Sequence, residues 1–237
     1  MNLSNFALIL PFQKKMSRKS NIVVIKIGSN VLTMENGSPD LNRMAGLVDQ
    51  MTFLLKNGLK VILVSSGAVA FGRKSLPLLP KTDAISKKQV WAAYGQIELI
   101  RQYKELFSEK GHPIAQLMVT KEDFRDRAHY LNMKNCLDGL LKNHVVPVIN
   151  ENDAVAITEL MFTDNDELAG LVAAMVDADS LLLLTNVDGI YKGHPSDPSA
   201  ELITHVGQKM PNLSQYISTH KSSFGRGGML TKMTMAK

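Results

Sequence analysis

Short apolar runs alternate with helix-length segments along most of this chain, and that alternation leaves few folds open. Residues 22–27, 61–64, 114–119, 145–149 and 180–184 each read as a strand buried on both faces. Between them lie segments with apolar residues at helical spacing, predicted as helices over 41–56, 89–110, 128–143 and 167–176. The first of these carries Leu41, Ala45, Val48, Met51 and Leu55 on one stripe and ends at Asn57-Gly58, a suitable cap. Near-continuous apolar strands joined by helices make an α/β fold with an open, mainly parallel sheet covered on both faces. The length of 237 residues suits one large domain, and neither a linker nor a repeat divides it.

Sheets of this kind bind ligands beyond the carboxyl ends of their strands. Here those ends are small or polar: Gly28-Ser29-Asn30, Ser65-Ser66-Gly67-Ala68, Asn150-Glu151-Asn152-Asp153 and Thr185-Asn186. Glycine beside hydroxyl groups lets backbone N–H groups come close to an anion. A second polar cluster, Thr163-Asp164-Asn165-Asp166, follows the fourth strand. Each cluster alone also reads as a solvated Asx turn. Together they can hydrogen-bond a small molecule carrying both ammonium and carboxylate. Lys26 stands inside the first apolar run, next to Gly28. Buried lysines are costly unless paired or functional, so Lys26 is either a site residue or a lysine snorkelling from a sheet edge. Near the chain end, Gly225-Arg226-Gly227-Gly228 precedes a helix-like stretch holding Lys232. Glycines before a helix N-terminus form a phosphate cradle, or simply a loop capping a helix. The spacing matches neither of the common phosphate-loop motifs.

Charge and composition exclude several classes. Most of the net charge of +5 comes from the first twenty residues: without Lys14, Lys15, Arg18 and Lys19, 23 basic residues face 22 acidic ones. The body thus lacks the excess of basic groups expected of a nucleic-acid-binding face. No apolar run reaches membrane-spanning length. The single cysteine, Cys136, has no internal partner, which fits a reducing, cytoplasmic setting.

The segments 24–33 (VIKIGSNVLT), 64–68 (VSSGA), 147–155 (PVINENDAV), 164–166 (DND), 181–191 (LLLLTNVDGIY) and 225–232 (GRGGMLTK) resemble the amino acid kinase family. Within it, 147–155 and 164–166 resemble the glutamate-phosphorylating branch. The resemblance covers residues 22 to 237. It implies a three-layer αβα sandwich and transfer of the ATP γ-phosphate to the side-chain carboxylate of L-glutamate. The product, L-glutamyl 5-phosphate, begins proline synthesis, and proline inhibits such enzymes. A homo-oligomer, dimer or tetramer, is implied, with Mg2+ carried on the ATP phosphates rather than on protein ligands.

By the same resemblance, Lys26 and Lys232 hold the transferring phosphoryl group, with Asp166, or alternatively Asp164, organising the two lysines. Ser66, Gly67, Asn150, Asp153 and Asn165 bind glutamate. Lys26, Gly28, Thr185, Asn186 and the run Arg226, Gly227, Gly228, Met229, Leu230, Thr231 and Lys232 line the ATP site. The chemistry suits these residues: a carboxylate nucleophile is already ionised at neutral pH and needs no general base. Phosphoryl transfer is mostly alignment and charge stabilisation. The chain departs from the family pattern at Asn186, where an aspartate is usual, and at His194-Pro195, where Asp-Pro is usual. It stops at Lys237, inside the helix after the glycine loop. The expectation is therefore a kinase domain over 22–237 with an incomplete carboxyl-terminal end and no RNA-binding-type PUA appendage. Residues 1–21 are expected to be a disordered extension. Two rivals remain: a glutamate- or proline-binding relative without catalysis, and a kinase for another small acid.

Overall fold

The structure is a computed structural model and describes residues 7–11, 21–76, 82–156, 162, 164–187, 189–192 and 197–204. The elements in chain order are β1 (Ala7–Pro11), β2 (Ile22–Ile27), α1 (Leu41–Lys56), β3 (Lys60–Ser65), α2 (Ala68–Ser75), α3 (Ala84–Glu109), β4 (Ile114–Val119), α4 (Arg127–Lys142), β5 (Val146–Glu151), α5 (Asn165–Met175), β6 (Ser180–Leu184), β7 (Ile190–Lys192) and β8 (Glu201–Ile203). The main sheet has the order β1-β6-β2-β3-β5-β4, and β6, β2, β3, β5 and β4 are mutually parallel. The expected α/β class is what the chain adopts. The short strands β7 and β8 pair antiparallel in a separate ribbon.

Side-chain alternation divides the core in two. In β2, Ile22 and Val24 enter the cluster formed with Leu137 and Leu141 of α4 and Leu168, Ala169 and Val172 of α5. Val23, Ile25 and Ile27 enter the cluster on the opposite face, with Met44, Leu47 and Val48 of α1 and Leu99, Tyr103 and Phe107 of α3. β3 splits the same way, Ile62 and Val64 against Val61 and Leu63. A period of two with apolar residues at both phases has this consequence: each strand needs a helix layer on either side. Lys26 follows Ile22 and Val24 in phase and therefore faces α5. Asn150 follows Val146 and Val148 and faces α3.

The structure differs from the sequence expectation at the N-terminal extension. Ala7–Pro11 pair antiparallel with β6, from Ala7 opposite Leu184 to Pro11 opposite Ser180. A short apolar segment that satisfies the open backbone edge of β6 gains hydrogen bonds that disorder would forgo, and Pro11 is tolerated because β1 is an edge strand. Helix α2 was also not foreseen. Its eight residues start after Gly67, whose φ of +115° is a left-handed conformation that a Cβ would strain. Helix α3 begins at Ala84, before the expected residue 89, because Asp83 caps it by accepting from the backbone N–H groups of Ile85 and Ser86.

Helices α2 and α3 touch backbone to backbone. A Cβ on Gly95 would lie 1.8 Å from the Ala68 carbonyl oxygen, and one on Gly72 would lie 2.0 Å from the Trp91 carbonyl oxygen. The two glycines permit a helix approach that holds α2, and with it the Gly67 turn, at the carboxyl edge of β3. Replacing Gly95 by Ala is expected to cost at least about 1–3 kcal/mol, by overpacking, and to lower the melting temperature by several degrees. Gly46, exposed in α1 with open space at its Cβ position, is the control: Gly46→Ala should stabilise by up to about 1 kcal/mol. Thermal denaturation of both variants checks the pair, and a Gly95→Ala protein as stable as the parent would refute the close crossing.

Candidate active site

Lys26 and Asp166 form the centre. Lys26 is the penultimate residue of β2, and Asp166 lies in the first turn of α5; Nζ and Oδ1 are 2.6 Å apart, with side-chain exposures of 7% and 0%. A lone buried charge is prohibitively costly, so each requires the other. The position of Asp166 is set from the backbone. Asp164 caps α5, its Oδ1 accepting from the N–H groups of Asp166 (2.8 Å) and Glu167 (3.2 Å). The polar cluster 164–166 is thus a helix start, with cap, amide and counter-ion in sequence. Gly28 lies two residues beyond Lys26; a Cβ there would be 3.5 Å from Lys26 Nζ and 3.7 Å from the Leu184 carbonyl oxygen. Its absence keeps open the space beside the ammonium group, a fit for an anionic phosphoryl oxygen.

An amide network runs from this centre across the carboxyl edge. The Asn165 side-chain amide donates to Ser66 Oγ (2.7 Å) and to Asn150 Oδ1 (3.0 Å). Asn150 Oδ1 also accepts from the Glu151 backbone N–H, and Asn150 Nδ2 donates to Gln96 Oε1, both at 2.9 Å. Ser66 itself is tied to β2 through its N–H to the Ile27 carbonyl (3.0 Å). Below it, Ser65 Oγ and Tyr103 Oη lie 2.8 Å apart, fully buried, and burial raises the Tyr103 hydroxyl well above its ordinary pKa. Four residues expected from sequence, Ser66, Asn150, Asn165 and Asp166, are thereby brought into one region with Lys26.

Beyond β5 a cavity of about 360 Å³ opens between α3 and the end of the sheet, lined in part by Gln96, Met118, Asn150 and Asp153. Asp153 meets Lys88 Nζ of α3 at 3.3 Å, and Gln89 Nε2 donates to the Ala154 carbonyl, also at 3.3 Å. Burial pushes the Asp153 carboxyl up to about 6. Glu151, on the opposite face of β5, is pushed up to about 7, chiefly by burial, although it accepts the Phe162 backbone N–H at 2.8 Å. Perturbed carboxyls beside a cavity make this surface a candidate for binding.

Thr185 and Asn186 follow β6 directly. Since Leu184 pairs with Ile27, they stand next to Gly28 at the same edge. Thr185 Oγ1 donates to Asn186 Oδ1 at 3.4 Å. Lys232 and the run from Arg226 to Thr231 lie outside the described residues, as do His194 and Pro195. Gln96, Lys88 and Gln89 escaped the sequence reading. Gln96 left a signal there: it is an amide on the buried stripe of α3 formed by Ala92, Leu99, Tyr103 and Phe107.

Comparison with known proteins agrees with this geometry. The model of the amino acid kinase family matches residues 21–237. The chain is 49% identical over 222 residues to a protein of Bacteroides thetaiotaomicron named glutamate 5-kinase, covering 94% of this chain and 61% of that protein. Identity is also 49%, over 218 residues, with the glutamate 5-kinase of Chlorobaculum tepidum, covering 90% of this chain and 59% of that protein. It is 39% over 216 residues with glutamate 5-kinase 2 of Bacillus subtilis, covering 91% and 58%. The chain therefore spans about three fifths of the length of the curated relatives it matches. From its sheet, its buried lysine–aspartate pair and its match over residues 21–237, the chain belongs to the amino acid kinase family.

Proposed function

We propose that the chain transfers the γ-phosphate of ATP to the side-chain carboxylate of L-glutamate, forming L-glutamyl 5-phosphate for proline biosynthesis. The observation that carries this reading is the buried Lys26–Asp166 pair at the end of an amide and carboxylate surface. The relatives named above supply the substrate. In the reaction a glutamate carboxylate oxygen attacks the γ-phosphorus, the bond to the β,γ-bridging oxygen breaks, and ADP leaves with that electron pair. Lys26 supports the negative charge on the transferring oxygens, where a preorganised donor contributes most. Asp166 holds Lys26 in place. Lys232 serves as the second lysine at that phosphoryl group.

Ser66, Gly67, Asn150, Asp153 and Asn165 hold glutamate, with the Asp153 carboxylate on the substrate ammonium. Gly28, Thr185, Asn186 and the run from Arg226 to Lys232 hold ATP. Magnesium would be held on the nucleotide phosphates and would neutralise charge there; Asp166 is engaged by Lys26, which suits a metal carried by the nucleotide rather than by protein carboxylates. Proline, which shares the ammonium and carboxylate of glutamate, is the expected inhibitor. The protein is proposed to work in the cytoplasm as a homo-oligomer; no helix among the described residues is long and apolar enough to cross a membrane. A coupled ADP-release assay with glutamate, N-acetylglutamate, aspartate, carbamate and UMP tests the substrate. Turnover with another acid and none with glutamate would overturn the reading.

The lysine is tested through stability and turnover together. Lys26→Met removes the cation 2.6 Å from the buried Asp166 carboxylate, at a cost of about 3–5 kcal/mol, and should lower kcat by about 10²–10³. The double variant Lys26→Met/Asp166→Leu removes both charges and is expected to recover most of the melting temperature while staying as inactive as the single variant. A folded double variant turning over within about threefold of the parent would sink the mechanism.

Asp153 is tested by substitution and by pH. Asp153→Ala should raise the KM for glutamate by about ten- to a hundred-fold, the equivalent of one charge-assisted hydrogen bond, and leave the KM for ATP nearly unchanged. In the parent, the carboxylate fraction of Asp153 grows as pH rises through about 6. The KM for glutamate should accordingly fall between pH 5 and 7 and level off above. The glutamate side chain, titrating near about 4.3, lies below this window. Steady-state kinetics from pH 5 to 8 would show a flat profile if Asp153 does not meet the ammonium.

A further inference from the structure

We propose that Gln96 is a positioning residue that locks Asn150 in the orientation its backbone neighbour selects, and thereby keeps the amino-acid site a site for an ammonium group. The inference rests on the glutamate reading and assigns to α3 a part in it. An asparagine side chain can in principle face either way, but here a backbone group decides. The Glu151 N–H can only donate, and it reaches Asn150 Oδ1 at 2.9 Å. Asn150 Nδ2 must then turn toward α3, where Gln96 Oε1 receives it at 2.9 Å. With its oxygen so placed, Asn150 accepts Asn165 Nδ2 at 3.0 Å, and the other hydrogen of that amide goes to Ser66 Oγ at 2.7 Å. Both Asn165 donor hydrogens are spent.

Two atoms of the network are left over, one at each end: Gln96 Nε2 and Asn165 Oδ1 are buried without a hydrogen-bond partner among the described residues. Buried polar atoms are seldom left so, and one that is calls for a partner from outside. At Asn165, directly before Asp166 in sequence, the spare atom is an acceptor. An acceptor takes an ammonium or amide hydrogen and repels a carboxylate. The class of ligand group admitted there is therefore set by the Glu151 N–H through Asn150, and held by the oxygen of Gln96, two hydrogen bonds from Asn165. With an apolar residue at 96, Asn150 Nδ2 would be buried without its acceptor, and the Glu151 N–H alone would hold Asn150 in the orientation that commits Asn165.

The test uses the whole chain. Gln96→Met keeps length and helix compatibility but offers no comparable acceptor to Asn150. It should raise the KM for glutamate roughly tenfold, as expected for one stranded buried donor, with kcat and the KM for ATP moved far less. Asn150→Ala should raise the same KM, and the double variant Gln96→Met/Asn150→Ala should be no worse than Asn150→Ala alone, because Gln96 acts through Asn150. Multiplying losses would make Gln96 a direct ligand contact and overturn the inference, as would an unchanged KM in Gln96→Met. Gln96→Glu retains an acceptor for Asn150 and should recover most of the affinity lost in Gln96→Met; if Gln96→Met does not fold, a Gln96→Glu protein with a KM raised tenfold overturns the inference instead. Calorimetry with L-glutamate separates the two levels. A parent chain that binds no glutamate removes the glutamate reading and this inference with it, whereas equal binding by the parent and Gln96→Met removes this inference alone.

Discussion

A lysine in the middle of a parallel sheet has to be neutralised within reach of its own ammonium group, and much of the described site follows from how Lys26 meets that demand. Strand alternation turns it toward α5, so the counter-ion must come from that helix. Asp166 can supply it because α5 starts there, and α5 starts there because Asp164 caps it. Asn165 and Asp166, consecutive residues of the helix, are about 100° apart around its axis, and Asp164 precedes them in an extended conformation, so the three face different directions and take three tasks. One satisfies the helix end, one reaches over the sheet edge and one enters the core. Moving the cap by one residue would misplace all three.

The same division appears in β5. Asn150 and Glu151 are neighbours on a strand and so lie on opposite faces. Asn150 joins Gln96 on the α3 side, while Glu151 accepts the Phe162 N–H on the other. Asn165, coming from α5, reaches over the ends of β3 and β5 to Ser66 and Asn150. The network thus crosses the carboxyl edge and ties both helix layers together at the place where a parallel sheet opens toward a ligand.

The sheet was largely legible in the sequence, since each inner strand carries apolar residues at both phases. The helices were legible where a full stripe exists, as in α1. Helix α2 was not, because eight residues give no period and its place depends on the backbone contact that Gly72 and Gly95 allow with α3. β1 was missed because its pairing with β6 joins residues far apart in sequence. Within the site, Lys26 was conspicuous as a charge in an apolar run, and the clusters at 150–153 and 163–166 as polarity following one. The pairing of Lys26 with Asp166 rather than Asp164 depends on where α5 begins, which only the folded cap reveals. Gln96 was hidden by the helical pattern itself, which registers apolar positions and passes over an amide standing among them.

Burial gives the acidic end of the site a thermodynamic direction. Asp153 and Glu151 have folded-state pKa values raised to about 6 and about 7. A raised carboxyl pKa means that the folded chain holds protons the unfolded chain has released, so stability falls as pH rises from the ordinary carboxylate range through 6 to 7. At neutral pH the folded chain thus carries Asp153 as a carboxylate that burial disfavours, with Lys88 of α3 at 3.3 Å as its nearby cation. Lys88 is 40% exposed, and a surface contact of that kind is weak. A substrate ammonium delivered into the cavity offers a second, less solvated cation. Binding would then relieve a penalty already present in the empty site, and between pH 5 and 7 it would release a proton from Asp153. The proposed glutamate site and the fold are on this account linked through one carboxyl group: Asp153, whose charge burial disfavours in the folded chain, is the group that the proposed ligand's ammonium would meet.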